Sequence, residues 1–215
     1  MRILRILLLL APPVILLWLA LPRFFSGLAV DATFPVPAGM VTNRSFARET
    51  YSRTAAVLAV VDDADSENQL VRAQAIYRAG APALIVRPMI ERALIAAPTS
   101  IQGWMLLSEV TQNIDPPVAV EALAITLDLS PQDYWLVGRK TRVGAKLWDR
   151  LDDRVRQTLL QQARLVWISA DLREQELLPL VRVEGGGALL TRAIVERNEI
   201  RAINRYISRL SRAQP

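Results

Sequence analysis

The segment WDRLDDR, Trp148 to Arg154, gathers Asp149, Asp152 and Asp153 within five positions. Two carboxylates at a suitable separation can protonate a glycosidic oxygen and activate the attacking water, so catalysis on a glycan is one reading of this cluster. The same residues at a helix start favour the helix dipole and pair with Arg150 and Arg154, which is the simpler reading. A second acidic run, DDADSEN over 62–68, offers oxygen donors at alternate positions, as calcium requires. With Asp63 as first ligand, however, the sixth position is Asn68 instead of glycine and the twelfth is Gln74 instead of glutamate, so the run reads as a solvated turn and helix cap. VEGGGALLTR lacks the Gly-Lys-Ser/Thr that holds a nucleotide's phosphates and reads as a hinge. The chain has no cysteine and no histidine, which excludes the usual Cys/His zinc sites and Ser-His-Asp or Cys-His catalysis. Neither a metal nor a cofactor is expected.

The charge pattern narrows the partners. The formal charge is +5, but Arg2, Arg5 and Arg23 flank the first apolar segment, and without them 23 cations face 21 anions. A duplex-binding domain carries a concentrated basic face, so nucleic acid is not an expected partner. The excess collects at the end, where Arg197, Arg201, Arg205 and Arg209 step by four along one strip, while Ile200, Ile203, Ile207 and Leu210 keep a three-four spacing. Such a basic amphipathic helix either docks on anionic lipid or a partner's groove, or caps the core with its apolar side and leaves its arginines in water. These four arginines are candidate binding residues.

The stretch Ile6 to Leu21, ILLLLAPPVILLWLAL, carries no charge. With Ile3 and Leu4 it approaches the ~20 residues of a bilayer-spanning helix. Arg2 and Arg5 before it predict a cytoplasmic N-terminus and export of the remainder. The expected location is therefore a bacterial inner membrane, crossed once, with the bulk of the chain periplasmic. A cleaved signal peptide is the competing reading, with Gly27-Leu28-Ala29 as its small-x-small site, although Arg23, Phe24 and Phe25 favour an uncleaved anchor. The resulting plan is an anchor over 1–23, a tether over 24–43, a helical domain over 44–184, and a hinge with the basic amphipathic helix over 185–215.

From Ser45 onward apolar residues recur at three and four with no period-2 strand, which predicts an all-α fold. Helices are expected over 45–61, 66–79, 83–97, 98–113, 115–129 and 131–148, with further ones to follow; Ser66 and Gln69 form a capping-box pattern. Trp135, Leu136, Leu147 and Trp148 should pack against Val155, Leu159, Leu160, Ala163 and Trp167 on the next helix. The stretch RALIAAPTSIQGW, from Arg92, is echoed by ITLDLSPQDYW, from Ile125. Together these stretches resemble the tetratricopeptide repeat over Glu67 to Pro131. Leu70, Ala73, Tyr77, Ile90 and Ala93 match its first unit, and Trp104, Leu107, Ala119, Leu123, Thr126 and Pro131 its second. Ser108 and Thr111 stand where the pattern has glycine and tyrosine, Thr126 where it has alanine, and the second unit is one residue short.

The resemblance implies a stack of antiparallel helix hairpins, with Trp104 filling the space between them and a groove lined by first-helix residues. Those residues are Asn68, Val71, Ala75 and Arg78 in the first unit and Gln102, Met105, Glu109, Gln112 and Asn113 in the second. Helical arrays behind one anchor also look like proteins of Gram-negative envelope and surface-polysaccharide assembly. The implied function is a non-enzymatic scaffold that binds a protein of an envelope or inner-membrane complex. An exported glycan-acting enzyme using Asp149, Asp152 or Asp153 and a small helical subunit of an integral membrane complex are the alternatives.

Overall fold

A computed structural model describes residues 47–59, 66–194 and 197–213. The expected anchor and tether, and Asp62 to Asp65 of the acidic run, lie outside the described residues. Among the described residues every regular element is helical, and no helix is long and apolar enough to cross a membrane. The chain divides into two compact units, Met1–Ala96 and Ala97–Pro215.

In the first unit, α1 (Arg48–Leu58) packs on α2 (Ser66–Arg78), and α2 pairs with α3 (Ala83–Ala96). The α2–α3 turn is made by Gly80 at φ +95°. The Gly80 N–H donates to Tyr77 O at 2.9 Å and the Ala81 N–H to Ile76 O at 3.1 Å, a Schellman closure that needs a left-handed residue. The Arg48 side chain completes this end by donating to Ala79 O. Pro88 lies inside α3 and is exposed on it; water can therefore serve the carbonyl that proline leaves without a donor. Leu70, Ala73, Val86, Ile90, Ala93 and Leu94 form the buried faces of the pair.

The second unit begins with another hairpin, α4 (Ile101–Thr111) and α5 (Pro116–Leu129). Ser100 caps α4 by accepting from Gly103 N at 3.2 Å, and Pro116 takes the first position of α5, where no donor is missed. The helices approach closely at Ser108 and Ala119, both without exposed surface, and the Ser108 hydroxyl donates to Ala119 O at 2.8 Å. The serine standing in place of the repeat's glycine thus bonds the hairpin together. A 3-10 turn over Tyr134–Leu136 leads to α6 (Val137–Leu147), and another over Trp148–Arg150 leads to α7 (Asp153–Ile168), α8 (Ala170–Arg182), α9 (Gly186–Ala193) and α10 (Arg197–Ala213).

The core of this unit is filled first by Met105, Leu123, Leu127, Leu136, Val143, Leu147, Val155 and Leu159 from α4 to α7. It continues with Val166, Leu177, Leu180, Leu189, Leu190 and Ile203 from α7 to α10. The expected α6–α7 pairing is present, with Trp148 half-buried, but Trp135 is 57% exposed on the 3-10 turn that precedes the helix. The stretch read as a hinge is a packed turn and a short helix. Gly185 adopts φ +75°, and a Cβ there would lie 2.5 Å from Ala145 O; one on Gly186 would lie 1.9 Å from Leu180 O. The glycines permit close packing here, and α9 buries Leu189 and Leu190 directly behind them.

Candidate functional site

Helix α6 reads VGRKTRVGAKL, and its sequence looks like a solvated basic surface. In the structure Arg139 and Lys140 are instead among the largest fully buried side chains of the chain. Arg139 Nε donates to Glu109 Oε1 at 2.8 Å and Nη2 to Glu109 Oε2 at 2.9 Å, a bidentate pair, while Nη1 donates to Gln102 Oε1 at 3.1 Å. Burial works against the Arg139 charge, and the Glu109 carboxylate outweighs it through both charge and hydrogen bonding, with Glu176 adding to the same effect. The guanidinium is held more firmly protonated than usual.

One turn further along, Arg142 pairs with Glu176 of α8. The Glu176 side chain lies over Gly138, where an added Cβ would come within 2.0 Å of its Oε2. Lys140 Nζ donates to Ser130 O, and Gln162 Nε2 donates to the adjacent Pro131 O at 2.8 Å, so two buried side chains hold the loop between α5 and α6. Burial pushes the Lys140 ammonium down to about 8, and the Asp133 carboxylate offsets part of that effect. The cluster ties α4, α6 and α8 together through charge-assisted bonds, whose directionality fixes how those helices register on one another. Each carboxylate in it is already an acceptor for an arginine.

The residues expected to line a groove are distributed differently from that expectation. In α2, Ala75 is buried and Val71 packs beside it against Tyr51 and Ala55 of α1; Asn68 is half-buried and Arg78 exposed. In α4, Met105 belongs to the core, and Gln102 and Glu109 are taken by Arg139. Gln112 Nε2 bonds Glu109 O at 2.9 Å, and Asn113 is exposed at the helix end. Ala75 and Met105 have no surface to offer a partner. The faces are covered by α1 in the first unit and by α6 in the second.

Two of the three carboxylates of WDRLDDR serve the start of α7. Asp152 Oδ1 accepts from Val155 N at 2.8 Å as its N-cap, and Asp153 pairs with Arg156 at 3.2 Å; Asp149 is exposed on the 3-10 turn. The last helix lays its apolar side on the second unit's core: Ile203 is buried, and Ile200, Tyr206 and Ile207 pack with it. Arg173 completes the seat, with its guanidinium 5.3 Å from the Trp167 ring centre and 5.8 Å from that of Tyr206. Arg201 and Arg205 point to water; the side chains of Arg197 and Arg209 lie outside the described residues. Trp104 is half-buried rather than central, and its Nε1 donates to Pro98 O at 2.7 Å.

A feature not anticipated in the sequence is an exposed aromatic edge. Tyr134 and Trp135 are 41% and 57% exposed, and Ile168 is 56% exposed. The two rings meet edge to face with centres 6.0 Å apart. The Tyr134 hydroxyl lies 2.9 Å from Ser169 Oγ, which brings the end of α7 and its Ile168 to the same edge. No family model matches the chain, and no curated protein or solved structure matches it either.

Proposed function

We propose that this chain is a non-enzymatic scaffold of a bacterial envelope assembly, with polysaccharide synthesis or export as its setting. Ile6 to Leu21 holds it in the inner membrane, and the helical domain receives a protein partner on the periplasmic side. The aromatic edge of Tyr134, Trp135 and Ile168 is the observation that carries this reading. An exposed tryptophan beside a tyrosine and an isoleucine is the composition of an interface hot spot, and buried Lys140 and Gln162 hold the loop that leads into it.

A tetratricopeptide-like stack is the architecture that goes with this function. The hairpins α2–α3 and α4–α5 coincide with the two units of the resemblance, and Ala93 and Ala119 are fully buried at its small-residue positions. The covering of the inner faces by α1 and α6 moves the proposed docking surface from the groove to the edge.

Affinity purification of tagged full-length protein from gently solubilised membranes, followed by mass spectrometry, tests the reading. A partner recovered with the parent chain should fall roughly tenfold or more with Trp135→Ala, the loss typical of a hot-spot aromatic. Because Trp135 is exposed, the variant should melt like the parent. Equal recovery by both proteins would remove the edge from the interface, and the absence of any membrane partner would remove the scaffold.

A further inference from the structure

Helix α10 is seated on one side and carries charge of a single sign on the other. Ile203 is buried, and Ile200, Tyr206 and Ile207 pack with it. With about 100° between successive helical residues, the midline between Arg201 and Arg205 lies diametrically opposite Ile203. Arg201, Asn204, Arg205 and Ser208 are exposed on that outer side. The helix runs Arg197–Ala213, so positions 197, 209 and 212, all arginine, continue the same strip over a rise of roughly 22 Å.

Helical arginines elsewhere pair with a carboxylate one turn away: Arg53 with Glu49 on α1, Arg87 with Glu91 on α3 and Arg156 with Asp153 on α7. On α10 no Asp or Glu stands three or four positions from any arginine of the strip. Arginine instead follows arginine at four-residue steps from Arg197 to Arg209, and like charges at that spacing destabilise a helix. Seating Ile203 gives no reason for this arrangement, because an uncharged polar strip would seat it equally well without the repulsion. A plane of negative charge gives one, since it sets attraction against the repulsion.

The composition of the strip chooses between two such planes. Protein interfaces are dominated by aromatic and apolar anchors that exclude water. Ile200, Ile203, Tyr206 and Ile207 are all committed to the core, and the exposed residues between Arg201 and Arg205 and beyond are Asn204 and Ser208. A bilayer surface needs no anchor of that kind, because its anionic headgroups attract a basic segment without a fitted contact.

We infer that α10 lies along an anionic phospholipid surface, with Arg201 and Arg205 meeting headgroup phosphates while Ile203 stays in the protein core. The contact is electrostatic and stops at the headgroups. It rests on the membrane location in the scaffold reading, but neither on the aromatic edge nor on a protein partner.

The absence of cysteine makes a clean test possible, because Ser208→Cys creates a single labelling site on the strip. Full-length S208C bearing a polarity-sensitive fluorophore is reconstituted into phosphatidylcholine vesicles with and without phosphatidylglycerol. A blue-shifted label is expected only where phosphatidylglycerol is present, and high salt should reverse it. Arg201→Gln with Arg205→Gln should lower the bound-to-free ratio of the label roughly twentyfold, about fivefold for each cation near an anionic surface. Arg53→Gln with Arg150→Gln, which removes the same charge from other exposed sites, should leave it unchanged. Arg201 and Arg205 are exposed, so their replacement spares the fold. Equal shifts in both vesicle types, no shift in either, or a shift that survives R201Q with R205Q would overturn the inference. A label that moves only when membrane protein extract is added would assign the strip to a protein and overturn it as well. Flotation with phosphatidylcholine alone reports the anchor separately: a chain left behind there that floats with phosphatidylglycerol at low salt would refute the anchor and support the helix contact.

Discussion

The buried Arg139–Glu109 pair gives a direct test of how the second unit is held together. Glu109→Gln keeps the side-chain volume and removes the charge that faces two of the three guanidinium nitrogens. Arg139, 1% exposed, would then keep only its Gln102 bond, one bond to the new amide oxygen and the more distant Glu176 carboxylate. Breaking one side of a buried ion pair costs about 3–5 kcal/mol. Each surviving bond returns roughly 1 kcal/mol, so the expected loss sits at the lower end, about 3 kcal/mol. Replacing both partners, Glu109→Leu with Arg139→Met, removes the desolvated charges together and places apolar atoms beside Met105 and Leu136; the double variant should lie within about 1 kcal/mol of the parent.

Urea unfolding followed by tryptophan fluorescence reads mainly this region, because four of the five tryptophans, Trp104, Trp135, Trp148 and Trp167, belong to the second unit; Trp18→Phe in the N-terminal apolar segment removes the fifth. A Glu109→Gln loss below about 1 kcal/mol would contradict the desolvated, bidentate pair described above. A double variant as unstable as the single one would show that the bonds themselves, and not the cost of an unpaired buried charge, dominate.

Two further outcomes follow from the same packing. The Lys140 ammonium titrates at about 8 in the folded chain against an ordinary value of 10.5, so the folded state releases its proton first. Below pH 8 the full cost of burying the charge is present, and stability rises as pH climbs from 8 toward 10.5. After discounting for screening through the adjacent loop, the gain is about 1.5 kcal/mol. Lys140→Met should remove this rise, and urea midpoints of both proteins across that pH range check it. Leu123→Ala should cost about 2–5 kcal/mol at a site with no exposed surface. Trp104→Ala, at a half-buried site, should cost clearly less; a larger loss for Trp104 in the same urea assay would place the indole in the core.

Periodicity made much of the helical framework legible. The three-four recurrence located the helices, and the small and apolar positions Leu70, Ala73, Ile90, Ala93, Ala119 and Leu123 are all buried. These signals are local, carried within one helix or between neighbours in sequence. The α6 cluster was not legible in this way because its acceptors, Glu109 and Glu176, lie 30 positions before Arg139 and 34 after Arg142. Spacing within VGRKTRVGAKL shows only cations, and cations on a helix ordinarily face water. One signal was available: Gly138 and Gly144 sit inside the helix, where glycine costs roughly 1 kcal/mol relative to alanine. Each is the point of closest approach of a neighbour, the Glu176 carboxylate over Gly138 and the Leu159 side chain over Gly144. Glycine within an apparently solvated helix therefore marked a buried one.

The same distinction explains where a binding surface can lie. A helix pair buries only the faces its two members share, so each hairpin still has an apolar inner face to cover. In the first unit α1 covers it, setting Tyr51 against Ala75; in the second, α6 covers it, driving Arg139 between Gln102 and Glu109. Neither covering element belongs to the repeat pattern, so position-by-position transfer from the resemblance could not anticipate them. Once the inner faces are taken, the most exposed large apolar side chains among the described residues are Leu84, Ile85 and Ile95 on α3, Trp135 on the turn before α6 and Ile168 at the end of α7. Leu84, Ile85 and Ile95 lie in the first unit, whereas the aromatic pair stands beside Ile168 in the second and supplies the residue types that dominate protein interfaces. Replacing Trp135 should therefore lower partner recovery, and replacing Ile95 should leave it unchanged.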